Sequence, residues 1–114
     1  MSFDHNIDLS SFGSAVASAR KKRGWSQKEL AAKVIKEDGE PITPQYLNDI
    51  EHDRRSPSSD HLVGEFARVL KIESAALFAV IGMLPIGDRK LVKQSTPQRI
   101  DEAFVAFRRK LSSG

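Results

Sequence analysis

The sequence predicts an all-α protein: five short helices packed together, followed by an appended C-terminal amphipathic helix. Three observations lead there. Apolar residues recur at helical spacing along most of the chain, with no strand-like alternation of any length. Capping residues precede the apolar stripes, and Gly or Pro follows them. Hydrophobic residues make up 39 % of the 114 residues, enough for one small core and too many for a disordered chain.

Residues 1–10 read as a flexible polar lead, and the first helix is expected from near Ser11. Phe12, Val16 and Ala19 share one of its faces. Arg20-Lys21-Lys22-Arg23 and then Gly24 supply last-turn cations and a left-handed stop. In the second helix, Ser26 and Glu29 have the spacing of a capping box. Trp25 and Leu30 are placed for a hydrophobic staple, and Leu30, Ala31 and Val34 form the stripe. Residues 36–41 then read as a polar loop with two breakers, Gly39 and Pro41. The third helix starts at Thr43, with Pro44 in the first helical position and only Leu47 and Ile50 committed to a core. Ser58 is expected to cap the fourth, whose apolar face is Leu62, Val63, Phe66, Ala67 and Leu70. Residues 74–81 form the fifth, closed by Gly82 and Pro85; its Leu77, Phe78 and Ile81 belong either to the core or to a dimer contact. Residues 11–84 thus make one domain. Residues 85–96 read as a linker, and 97–114 as a last helix opened by Thr96-Pro97. Its stripe is Ile100, Phe104, Phe107 and Leu111.

Composition narrows the function classes. Lys and Arg number 18 against 15 Asp and Glu, a formal charge of +3, which permits an anionic partner without demanding one. The absence of Cys removes disulfides, thiol catalysis and thiolate metal sites. No apolar run is long enough to span a bilayer, and Met1 to Ser11 has no secretory pattern, so a cytoplasmic protein without a membrane partner is expected. His5, His52 and His61 are dispersed without metal-ligand spacing. No phosphate loop, nucleophile elbow or pair of catalytic carboxylates can be placed. Neither an enzyme, nor a metal, nor a cofactor is expected.

What remains is the second and third helices. The third is short, with a sparse stripe, and keeps small and medium polar residues on its free face. Gln45 and Asn48 carry amides, which can bond an adenine edge at two points. Tyr46 is suited to a phosphate or a thymine methyl, and Asp49 to a cytosine amine or to holding a neighbouring Arg. Gln27 and Lys28 in the first turn of the second helix, Thr43, and Arg54 and Arg55 after the third are placed for phosphate contacts. The run Arg20–Arg23 is either a further phosphate patch or a solvated helix end.

These residues carry a resemblance. Trp25-Ser26-Gln27-Lys28-Glu29-Leu30-Ala31, then Ile42 to Glu51, then Arg54-Arg55-Ser56-Pro57-Ser58, Leu62 and Phe66 to Leu70 fall in order. The stretch Phe12 to Leu84 resembles the lambda-repressor/Cro-like, or Xre, helix-turn-helix family. The resemblance implies a five-helix domain whose third helix enters the major groove of double-stranded DNA. It places Gln45, Tyr46 and Asn48 toward the bases, Gln27 on a phosphate, and Arg20 with Glu51 in an ion pair joining the first and third helices. It implies a sequence-specific transcriptional regulator, a repressor acting as a homodimer on a pseudo-palindromic operator and nucleoid-associated when bound.

Two positions depart from the family pattern. Eight residues, Ile35 to Ile42, separate Val34 from Thr43, more than the tight form of the motif holds. A longer turn either relaxes the angle between the two helices or carries an extra contact. Asp53 stands where the family has Gly; Asp tolerates left-handed backbone but adds a negative charge. The C-terminal stripe is expected to pack on a second copy, to fold back, or to bind another protein, as in an antitoxin that represses its own operon. A protein-interaction module that has lost DNA binding is the remaining alternative.

Overall fold

The structure, a computed structural model, describes residues 6–113; the first half of the expected lead, residues 1–5, and Gly114 lie outside the described residues. Among those described there are seven helices: α1 (Phe12–Lys22), α2 (Gln27–Lys33), α3 (Pro44–Glu51), α4 (Asp60–Leu70), α5 (Ser74–Val80), α6 (Ile86–Lys93) and α7 (Pro97–Ser112). They form two compact units, one ending at Leu84 and one beginning at Pro85. None of these helices is long and apolar enough to cross a membrane.

In the first unit α1 packs on α3 and α4, α2 on α3, and α4 on α5. The stripes converge on one core that includes Val16, Leu30, Val34, Leu47, Ile50, Leu62, Phe66 and Leu70, all essentially inaccessible to solvent. Phe12 meets Phe66 edge-on, ring centroids 5.7 Å apart, a geometry favoured by the aromatic quadrupole. Leu77 and Phe78 of α5 are buried here too, at 0 % and 4 % exposure. Of the two places open to them, core or interface, Leu77 and Phe78 take the core, and Ile81 stays half exposed.

Helix ends follow local chemistry. The Ser26 hydroxyl accepts from Glu29 N–H and the Glu29 carboxylate accepts from Ser26 N–H, closing the capping box. That backbone N–H holds the Glu29 carboxyl below the usual range. Thr43 caps α3 through Tyr46 N–H ahead of Pro44. The cap of α4 is Ser59, not Ser58: Ser59 Oγ accepts from Leu62 N–H, whereas Ser58 N–H donates to the Tyr46 hydroxyl.

Three segments differ from the sequence reading. The described part of the lead is tied to α1, with Ile7 packed against the core, Asp8 N–H donating to Ser18 Oγ and Lys22 Nζ donating to Asn6 O. The long turn between α2 and α3 is a small hairpin. Ile35 and Pro41 form an antiparallel bridge, Lys36 N–H donates to Glu40 O at 2.8 Å, and Gly39 makes the bend at φ +89°. Ile42 N–H then returns to Val34 O at 2.9 Å, so the inserted residues leave and re-enter at one point. The insertion therefore protrudes without lengthening the path between the two helices. α4 fixes its base: Glu65 accepts from Ile35 N–H at 3.0 Å, and His61 Nε2 lies 2.8 Å from Ile35 O. The Arg68 guanidinium beside Glu65 holds its carboxyl below the usual range, and Ile35 N–H adds to that.

The third difference is the expected linker. Residues 86–93 are helical. Their apolar residues make no regular stripe, but Arg89, Lys90, Leu91 and Lys93 are strong helix formers, and intrinsic propensity fills the segment where periodicity gives no signal. In this second unit Thr96 caps α7 through Arg99 N–H, and Phe104 and Phe107 meet edge-on at 6.0 Å. Phe104, Val105, Phe107 and Leu111 are exposed, while Ile100 is half-buried.

Candidate nucleic-acid interface

The site is built on α3 and on what holds it. Leu47 and Ile50 anchor its inner face, which leaves Gln45 exposed and Asn48 and Asp49 half-buried on the outer side. Behind them lies a desolvated polar cluster. Arg20 of α1 grips Glu51 with two hydrogen bonds, Nε to Oε2 at 2.6 Å and Nη2 to Oε1 at 2.9 Å, and donates from Nη1 to Trp25 O. The two side chains are 12 % and 4 % exposed, so this pair is desolvated. Gln27 of α2 joins it: Nε2 donates to Glu51 Oε1 at 3.0 Å and to Asn48 Oδ1 at 3.1 Å. One network thus ties α1, α2 and the outer face of α3.

The other side chains divide by what they touch. Gln45 Nε2 donates to Asp49 Oδ1, and Arg54 Nε donates to the same oxygen, each at 3.1 Å. Asp49 therefore holds a neighbouring Arg, one of the two roles open to it. Tyr46 turns toward the start of α4, its hydroxyl accepting from Ser58 N–H and its ring lying 5.2 Å beneath the Arg55 guanidinium. The ring face toward Arg55 is thereby occupied. Lys28, Thr43, Arg54 and Arg55 are exposed. Thr43, Tyr46, Arg55 and Ser58 also line a cleft of about 240 Å³ beside the start of α3, with Lys36 of the hairpin among its walls. In the run Arg20–Arg23, Lys21 and Lys22 are exposed and the two arginines are engaged. Arg20 is in the buried pair, and Arg23 bonds Leu70 O at 3.2 Å and lies over the Trp25 ring.

Asp53 resolves the second departure. It holds the left-handed conformation, φ +57°, that a Gly would hold, and its carboxylate turns to the start of α1. There it accepts from Gly13 N–H at 3.0 Å and from Ser11 Oγ at 2.7 Å. The charge compensates the N-terminal end of a helix rather than standing bare before an anion.

A helix-turn-helix family model (HTH_3) matches residues 16–75, from the middle of α1 into α5. The chain belongs to the Xre, lambda-repressor-like helix-turn-helix family. Xre proteins are DNA-binding regulators rather than enzymes, and this chain is a DNA-binding regulator of the Xre type. A solved structure of a SinR protein/SinI protein complex contains a similar chain: TM-score 0.50 at 23 % identity, covering 90 % of this chain and 99 % of that one. At that identity the likeness speaks for the fold. No curated protein matches the sequence. In an Xre domain α2 and α3 are the helix-turn-helix, with α3 as the helix that enters the major groove. The hairpin Val34–Ile42 is this member's elaboration of the turn.

Proposed function

We propose that this protein is a repressor that binds a pseudo-palindromic operator as a homodimer. The observation that carries the reading is the outer face of α3. Gln45, Asn48 and Asp49 stand there, Asn48 held by the Arg20–Glu51–Gln27 network, Gln45 and Arg54 both bonded to Asp49, and Arg54 and Arg55 exposed beside them. Side chains with donors and acceptors on a helix that fits the groove are what direct readout needs. Two copies would set their α3 helices in successive major grooves about 34 Å apart on one side of the duplex. Repression follows where the operator overlaps a promoter. Selection of bound DNA from a random pool tests this, since it returns half-site, symmetry and spacing together. A pool that converges on no sequence, or on a single unrepeated half-site, contradicts the reading.

Arg55 is proposed as a phosphate ligand, preset by its stacking on Tyr46. Arg55→Ala should weaken binding to all sequences alike and lower the slope of log K against log salt by about one. An unchanged slope removes Arg55 from the contact.

The second copy is proposed to dock through α7. Phe107 and Leu111 are 51 % and 66 % exposed on its stripe, with Phe104 and Ile100 beside them, and soluble chains rarely leave such a stripe bare. Removing residues 85–114 should turn the dimer into a monomer of the shortened chain in sedimentation equilibrium. The similar solved chain comes from a complex of two different proteins, which favours a second reading for the same helix. An unrelated protein co-purifying in stoichiometric amount would make α7 a hetero-partner surface, as in an antitoxin.

A further inference from the structure

An amide side chain offers a donor on one arm and an acceptor on the other, and what it reads depends on which way it is turned. At Asn48 the turn is fixed by a series of contacts that begins with a charge. Arg20 is always cationic, and two of its nitrogens hold both oxygens of Glu51. Glu51 is thereby a carboxylate, which only accepts. The Gln27 atom 3.0 Å from Glu51 Oε1 must then be the amide nitrogen. The second proton of that nitrogen goes to Asn48 at 3.1 Å, so the Asn48 atom facing it must be the oxygen. The arms of the Asn48 amide diverge, so with Oδ1 held against α2 the Nδ2 arm points away from it.

We propose that Arg20, Glu51 and Gln27 preset Asn48 as a hydrogen-bond donor toward the major groove, so that the base it reads in each half-site is guanine. This rests on the reading of α3 as the base-contacting helix. Guanine shows two acceptors in the groove, N7 and O6, one for each proton of the Asn48 amide nitrogen; thymine shows one acceptor, O4, with its C5-methyl beside it, adenine alternates an acceptor with a donor, and cytosine presents a donor. The two-point contact with adenine needs the Asn oxygen beside the adenine amine, and here that oxygen lies against Gln27. Cytosine is rejected because donor would face donor. Gln27 becomes a positioning residue. Both protons of its amide nitrogen are committed, so that amide has none to give a phosphate oxygen, which only accepts.

The test uses the full chain and DNA selected from a random pool, followed by titration of the selected site with each base substituted in turn. The wild-type protein should prefer guanine over adenine about tenfold at one position per half-site. Gln27→Leu frees the Asn48 amide to turn. It should keep its helical thermal transition and its salt slope, while that preference falls below about threefold at that position alone. Asn48→Asp puts an oxygen where Nδ2 was and should move the preferred base there to cytosine; it carries the test if Gln27→Leu does not fold. Adenine or thymine at that position in the wild-type site overturns the proposal. So does a Gln27→Leu protein that keeps its base preference but binds every sequence more weakly with a flatter salt slope, the behaviour of a phosphate ligand. Failure of the underlying reading looks different: Asn48→Ala would return the wild-type motif unaltered, and the proposal would fall with it.

Discussion

Glu51→Ala should destabilise the domain by about 3–5 kcal/mol, the cost of leaving a buried charge without its partner. The Arg20 guanidinium is 12 % exposed and gives two of its three hydrogen bonds to Glu51; without the carboxylate only Trp25 O remains. Gln27 loses an acceptor at the same time. A small domain holds roughly 5–15 kcal/mol in total, so a large part of its stability rides on one carboxylate. Urea unfolding followed by far-UV circular dichroism measures the loss. The pair itself is a poor source of net stability, because taking two charges out of water offsets most of their attraction. The double replacement Arg20→Met with Glu51→Leu should therefore recover most of the loss. A single-mutant effect under about 1 kcal/mol would mean that solvent screens the pair as it does at an open surface.

Gly13→Ala should cost about 3 kcal/mol, although Gly to Ala inside a helix ordinarily stabilises. A methyl group there would lie 2.4 Å from Ile50 O, 2.7 Å from Glu51 O and 2.6 Å from Asp53 Oδ1. Two of those atoms are backbone carbonyls at the end of α3, which cannot give way without moving that helix. Gly64 in α4 is the control: a methyl there meets nothing within 4 Å, so Gly64→Ala should gain about 0.5–1 kcal/mol. The two thermal transitions should move in opposite directions. If they move together, α1 does not sit as close to α3 as the Gly13 N–H to Asp53 contact requires.

Several features were legible because their cause lies within a few residues. Ser26 and Glu29 are three apart, and both halves of their box formed. Thr43 with Pro44 marked the start of α3 in the same way. The cap of α4 lies one residue beyond the expected Ser58: Ser59 Oγ takes Leu62 N–H, while Ser58 N–H goes to Tyr46, twelve residues earlier. The linker reading of residues 85–96 failed for a different reason. α6 holds only three apolar residues, Ile86, Leu91 and Val92, with none three or four apart, so no apolar stripe marks it along the chain. The closing of the long turn had no local mark beyond Gly39 and Pro41, because its ends meet through Ile42 and Val34 and its base is clamped by Glu65 of α4.

The sequence by itself determined the helical class, most helix boundaries, the core stripes and the family, since these depend on spacing along the chain. It also named the polar residues of α3. Only the tertiary structure decided what each of them can still offer. Gln27 turns to Asn48 and Glu51, Tyr46 to Ser58, Asp53 to Gly13, and Leu77 and Phe78 into the core. A side chain's free donors and acceptors are what remains after its neighbours in space have taken theirs. Those neighbours lie 12 to 40 residues away along the chain, where no local pattern reaches.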